Sequence, residues 1–257
     1  MSRPSPGGLA TLIAIAYAAY FVADIAHETL GHGGMCLALG GSVTFLSTTF
    51  EDCSIHSRLI DGAGPMMGIA IALLAWSWLR RRPPRDQNMR AFLLLTFAFA
   101  IFWNVFYLIR SGITDQGDWA FVIAGLEPKL VWHAAMTIAG VVLYGIAMRA
   151  TATSVRTDFP ESAGGGISPF GFAMTAFVAA VILSAIAAQF DTRSVAPNMI
   201  DKLPSALAAL GLVWAGWTTG RAMPELRMAI PQSLTWTTLG AASAIFFVLV
   251  LGPGLRF

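Results

Sequence analysis

Seven runs of apolar residues, at approximately 9–31, 63–79, 91–111, 130–149, 169–188, 204–220 and 234–252, recur along the chain with charge, proline or glycine between them. A hydrocarbon layer takes about 20 apolar residues to cross as a helix, and within it only helices and closed barrels satisfy their own backbone polar groups. The expected fold class is therefore an all-α integral membrane protein with about seven transmembrane helices, of which 204–220 is the least secure because it is short. Composition agrees: 56% of residues are hydrophobic and 12% charged, against about 25% charged in soluble domains. A net charge of +2 with no basic run beyond "RRRPPR" at 80–85 gives no clustered face for nucleic acid. The partner implied by the whole chain is the lipid bilayer.

Loop charge orients the spans, because cytoplasmic loops carry an excess of Lys and Arg. An inside N-terminus gives the cytoplasm Arg3, the cluster Arg80, Arg81, Arg82, Arg85 and Arg90, then Arg149, Arg156, Arg221 and Arg227. The opening "MSRPSPGG" has no small-residue cleavage site after its apolar run, so the first span is expected to be retained. This orientation collects all four histidines, His27, His32, His56 and His133, on the outer side, together with Asp61, Asp115 and Asp118. The linker-like stretch 151–168, rich in Ser, Thr and Gly, divides a four-helix core, 1–150, from a three-helix accessory segment, 169–257.

The ionisable residues at the end of the first span, "ADIAHETLGHGG" at 23–34, mark a functional site, since such groups in a membrane segment are costly and kept for a purpose. On a regular helix Asp24, Glu28 and His32 share a face, whereas His27 and His32, five apart, are offset by about 140°. A His-Glu-x-x-His helix binds zinc through histidines four apart, with the glutamate as general base. Here one residue is extra. Either a π-type turn, which aligns i with i+5, or a loosening of the backbone at Gly31 brings the histidines together; the undistorted alternative is a site of Asp24, Glu28 and His32.

The run "AHETLGHGGMCLALGGSVTFLSTTF" at 26–50 resembles the active-site helix and following small β-hairpin of the site-2 protease family of intramembrane zinc metalloproteases. "DGAGPMMGIAIALLAW" at 61–76 is similar to the opening of that family's next helix, and "FWNVFYLIRSGITDQGDW" at 102–119 to its third element, where an asparagine precedes the aspartate that completes the metal shell. The resemblance implies a small β-hairpin between the first two spans, one Zn2+ held by His27, His32 and Asp118, and Glu28 as the catalytic base. Asp118 is preferred to Asp115 as third ligand because a glycine-flanked acid can turn back toward the first span. Asp24, Asp61, Asp115 and His133 are expected to orient ligands or substrate, and Asn104 to hydrogen-bond a substrate backbone. His56 reads as a surface histidine.

Cys36 and Cys53 both fall on the outer side, where disulfides persist; a bridge between them or two buried thiols remain alternatives. The leading functional expectation is an intramembrane zinc metalloprotease-like hydrolase in a bacterial cytoplasmic membrane, its site near the outer face, acting on a membrane-embedded or membrane-adjacent peptide. The alternating "GSVTFLSTTF" at 41–50 favours peptide, because an exposed strand pairs with extended backbone. The rivals are a zinc-dependent lipid amide or ester hydrolase, and a non-catalytic scaffold serving as transporter, assembly factor or subunit of a larger membrane complex.

Overall fold

A computed structural model of the chain describes residues 6–159, 166–191 and 205–257. Helix α1 (Pro6–Asp24) runs without a break through a π-helical segment (Ile25–Gly33) into α2 (Gly34–Ala38). A hairpin of β1 (Val43–Leu46) and β2 (Glu51–Cys53) follows, then α3 (Arg58–Arg81), α4 (Gln87–Thr114), the short α5 (Asp118–Ile123) and α6 (Lys129–Thr157). The remainder comprises α7 (Pro169–Gln189), α8 (Leu210–Ala222), α9 (Leu234–Phe246) with a π-helical extension (Phe247–Leu251), and β3 (Leu255–Arg256). Side-chain caps start several helices. Ser57, Asp86, Ser168 and Ser233 accept from the backbone N–H of Leu59, Asn88, Gly171 and Trp236 at the heads of α3, α4, α7 and α9, groups that a helix leaves without an internal partner.

The chain is mostly helical, and among the described residues six helices are long and apolar enough to cross a membrane: Gly8–Ala38, Arg58–Arg81, Gln87–Thr114, Lys129–Thr157, Pro169–Gln189 and Leu234–Leu251. The run 204–220 differs from expectation. A turn at Ala208–Ala209 interrupts it, leaving α8 with 13 residues, about 20 Å at 1.5 Å per residue. Its start is level with the middle of α6, where Tyr144 Oη donates to the Ala208 carbonyl (2.7 Å) and accepts from Gly211 N–H (2.9 Å). Position 204 itself lies outside the described residues.

The expected hairpin is present, and it is part of a larger unit. β1 pairs antiparallel with β2, with Leu46 opposite Glu51, and on its other edge with β3, with Leu46 opposite Leu255. The sheet order is β2-β1-β3, so the last residues of the chain complete a sheet begun between the first two long helices. Gly254, with φ +81°, lies beneath the Phe45 ring, which a β-carbon there would overlap. A disulfide joins Cys36 on α2 to Cys53 on β2, tying the hairpin to the end of the first helix.

Residues 151–157 of the supposed linker are the last two turns of α6, and 160–165, the centre of that stretch, lie outside the described residues. The two halves share one core: Leu12, Ile15 and Ala19 of α1, Phe99 and Phe102 of α4, Phe172 and Ala176 of α7, Leu212 of α8 and Phe247 belong to a single buried cluster. At the end opposite the histidines, Arg80 Nη1 meets Asp158 Oδ1 at 2.9 Å and Arg90 Nη1 donates to the Asp158 carbonyl at 2.6 Å, clamping α3, α4 and α6.

Helix α9 packs directly on α1, and a β-carbon at Gly240 would overlap the Ala14 carbonyl. Gly240→Ala is expected to lower thermal stability by about 1–3 kcal/mol, the usual penalty for overpacking. Gly145→Ala in α6, where a β-carbon meets nothing within 4 Å, is expected to leave it unchanged or raise it; thermal unfolding of the two variants checks both.

Candidate metal centre

The backbone between Ile25 and Gly33 is wound as a π-helix, with the Gly34 N–H reaching the Thr29 carbonyl five residues back. That winding puts i and i+5 on one face, and His27 Nε2 stands 3.3 Å from His32 Nε2. Of the two distortions open from sequence, the π turn is the one adopted. Small residues opposite make room for it: a β-carbon on Gly31 would come within 2.5 Å of Gly64 Cα, and one on Gly64 would overlap the His32 ring. The "DGAGPMMG" stretch is thus a backbone groove on α3 that admits the helix and its histidine.

Each imidazole is oriented through its other nitrogen. His27 Nδ1–H donates to Asn104 Oδ1 at 2.8 Å, and Asn104 is itself oriented by donating Nδ2–H to the Ala100 carbonyl at 2.7 Å. His32 Nδ1–H donates to the Ile60 carbonyl at 2.7 Å. With Nδ1 protonated on both rings, both Nε2 lone pairs point to a shared space. Trp103 stacks on His27, centroids 4.7 Å apart, and Tyr107 meets it edge-on at 5.8 Å, so the ring has little freedom to turn away.

The third corner is Asp118. Gly117 adopts φ +88°, a conformation that disfavours any residue with a β-carbon, and this reversal after α4 places Asp118 at the first position of α5. Its Oδ2 lies 3.0 Å from His27 Nε2 and 3.7 Å from His32 Nε2. The oxygen is buried and no aligned hydrogen bond reaches it. Two lone pairs and a carboxylate oxygen facing one another at these distances repel unless a cation, proton or metal, lies between them. Tetrahedral zinc with bonds of about 2.0–2.1 Å holds its ligand atoms about 3.3–3.4 Å apart; the three edges here are 3.0, 3.3 and 3.7 Å. The donor set, two oriented imidazoles and one carboxylate, fits zinc with an open position.

Glu28 is buried beside the triangle, its Oε1 4.0 Å from His27 Nε2. The corner opens into a cavity of about 440 Å³ whose wall includes Glu28, Glu51, Asp61, Tyr107, Arg110 and Asp118. Burial alone would raise the Asp118 carboxyl, but the neighbouring His27 and His32 outweigh it and hold the group well below the usual carboxylate range. Glu51 goes the other way: burial first, then the carboxylates of Glu28, Asp52 and Asp61, push it up against the opposing pull of His32.

Among the described residues, His27, His32 and Asp118 form one of two trios of candidate ligand atoms lying within 4.8 Å of one another. The other, Cys36, Glu51 and Cys53, has its sulfurs bonded to each other. The undistorted trio of Asp24, Glu28 and His32 is not assembled: Asp24 is buried at the end of α1 and contributes nothing to the cavity wall. Asp61 does line the cavity. Asp115 and His133 meet each other instead, His133 Nε2 lying 3.3 Å from Asp115 Oδ1 while Nδ1–H donates to the Gly112 carbonyl at 3.0 Å. Lys129 completes that exposed cluster, and its ammonium holds the Asp115 carboxyl below its ordinary value. Asn104, expected to meet substrate, is fully buried behind His27. His56 is exposed, as expected.

Glu51, Trp103, Tyr107 and Arg110 are site residues that sequence reasoning did not single out. Only Glu51 carried a usable signal, an acid closing an alternating strand two residues before a cysteine. Compared with known proteins, the chain matches no family model, no curated protein and no solved structure.

Gly64→Ala is expected to displace the His32 ring and abolish stoichiometric Zn2+ uptake by metal-stripped protein. Gly33→Ala, whose β-carbon makes only ordinary contacts at 3.6 and 3.7 Å, is expected to retain uptake; equilibrium dialysis distinguishes them. The lowered Asp118 carboxyl contributes stability that is complete above the ordinary aspartate value of about 3.9 and is lost as the pH falls through its folded value. Without added metal, Asp118→Asn is therefore expected to flatten the fall of melting temperature between about pH 4 and pH 2.

Proposed function

We propose that this chain is an integral membrane zinc hydrolase of the site-2 protease type, cleaving an amide bond in a membrane-embedded or membrane-adjacent peptide. The observation that carries the reading is the triangle of His27 Nε2, His32 Nε2 and Asp118 Oδ2, with edges of 3.0–3.7 Å and both Nδ1 atoms engaged elsewhere. Membrane insertion is supported by the six long apolar helices and by bare apolar faces such as Leu130, Ile138, Val141, Val142 and Ile146 on α6, an exposure that water does not tolerate over so wide an area. The loop arginines favour a cytoplasmic N-terminus, which puts the triangle near the outer face of a bacterial cytoplasmic membrane.

Zinc, when bound, supplies Lewis acidity toward the scissile carbonyl and toward water. The chain supplies the rest. Asn104 and the Ile60 carbonyl keep both imidazoles in the tautomer that offers Nε2, and Trp103 holds the His27 ring against rotation. Glu28 takes the proton of the attacking water and returns it to the departing amine nitrogen. The 440 Å³ cavity admits that water, and β2, an edge strand with Glu51 in the cavity wall, offers an extended peptide a backbone to pair with beside the triangle. The extra motif residue, the best argument for a non-catalytic scaffold, is absorbed by the π turn.

Metal analysis with activity measurement tests the reading. Purified wild type is expected to hold one zinc per chain, lost in His27→Ala, His32→Ala and Asp118→Ala. Glu28→Gln is expected to keep zinc and lose roughly 10²–10⁴-fold in cleavage of single-span peptides supplied in the same micelles, followed by mass spectrometry. Absence of zinc from the wild type overturns the proposal; zinc without cleavage of any such peptide leaves a metal-binding scaffold instead.

A further inference from the structure

A second cavity, of about 780 Å³, opens between α1, α3 and α4 away from the triangle, walled by apolar side chains that include Val22, Ile71, Leu74, Trp78, Phe92 and Leu93. Arg81 and Arg82 stand at one end of it. Two nearby arginines are tied down: Arg80 pairs with Asp158, and Arg90 donates to the Asp158 and Pro84 carbonyls. Arg81 and Arg82 make no ion pair or hydrogen bond to any described residue, and both are exposed. Two guanidinium groups at the mouth of an apolar groove, unpaired among the described residues, present a donor array suited to phosphate oxygens.

The dimensions match a lipid. From Ile71 to Arg81 the groove follows α3 for ten residues, about 15 Å, half of the roughly 30 Å hydrocarbon thickness and so the depth of one leaflet. Trp78, about one turn from the arginines and half-exposed, stands where indole rings favour the headgroup boundary. We infer that this groove binds an anionic phospholipid of the cytoplasmic leaflet, one acyl chain lying against Ile71, Leu74 and Leu93 and the phosphate held by Arg81 and Arg82. The inference rests on the membrane reading and orientation proposed above, and is independent of the metal centre.

Native mass spectrometry of the detergent-purified full chain tests it, with palmitoyl-oleoyl phosphatidylglycerol as probe and the phosphatidylcholine of the same chains for comparison. The anionic lipid is expected to bind more tightly. The double variant Arg81→Gln with Arg82→Gln is expected to weaken it by roughly tenfold or more, each basic group near an anionic surface adding about a factor of five. The equal-charge control Arg85→Gln with Arg156→Gln, at the same end of the bundle but outside the groove wall, is expected to change binding less than about twofold. Equal affinity for the two lipids, equal loss in the control, or full competition by glycerol phosphate alone overturns the lipid site. A chain that stays in the aqueous phase when mixed with liposomes sinks the membrane reading, and the lipid site with it; one that inserts and fails the lipid comparison sinks the lipid site alone.

Discussion

The i to i+5 backbone hydrogen bonding of Ile25–Gly33 is the constraint on which the rest of the histidine end depends. An α-helical path would leave His27 and His32 on divergent faces, and a π-helix has poorer intrinsic geometry than the α-helix it replaces, so the surroundings must favour it. They do so from three sides. Gly31 on Gly64 lets two backbones touch, the Ile60 carbonyl and Asn104 accept from the two Nδ1–H groups, and the Cys36–Cys53 bridge holds the helix end against the hairpin. The path of α3 follows from the first of these contacts, and with it the positions of Asp61 and the Ile60 carbonyl.

The C-terminal half takes part in this arrangement. Ser184 on α7 donates to Tyr20 Oη at 2.9 Å, Phe247 meets Tyr20 edge-on, Tyr20 stacks on Trp103, and Trp103 stacks on His27. A continuous column of rings therefore runs from the later helices to the His27 imidazole. On the other side, β3 closes the sheet whose far strand, β2, carries Glu51. Residues 169–257 thus supply both supports.

The two ends of the bundle also differ in how charge is handled. At the arginine end, cations outnumber acids, and Arg81 and Arg82 pair with no carboxylate among the described residues. At the histidine end, Glu28, Glu51, Asp61 and Asp118 gather around two neutral-capable imidazoles and Arg110, an excess of acceptors that suits a bound cation. Asp115 belongs to neither group, because the left-handed turn at its own position, φ 57°, aims it at Lys129 and His133 across the α5 connection.

The amino-acid order by itself determined the long apolar helices, the hairpin after the first of them and the residue types of the triangle, because each depends on local pattern: apolar run length, strand alternation, or a histidine–glutamate cluster in an otherwise oily segment. Local pattern does not extend to partners distant in the chain. Which distortion joined His27 to His32, whether Cys36 met Cys53, and that Asn104 would accept from an imidazole were decided only when α3 and α4 packed against the first helix. The shortness of α8 and the third strand from the C-terminus belong to the same class. Both rest on contacts between segments far apart in sequence, Tyr144 with Ala208 and Leu46 with Leu255, and the energy of such contacts exists only once the chain has been brought together in three dimensions.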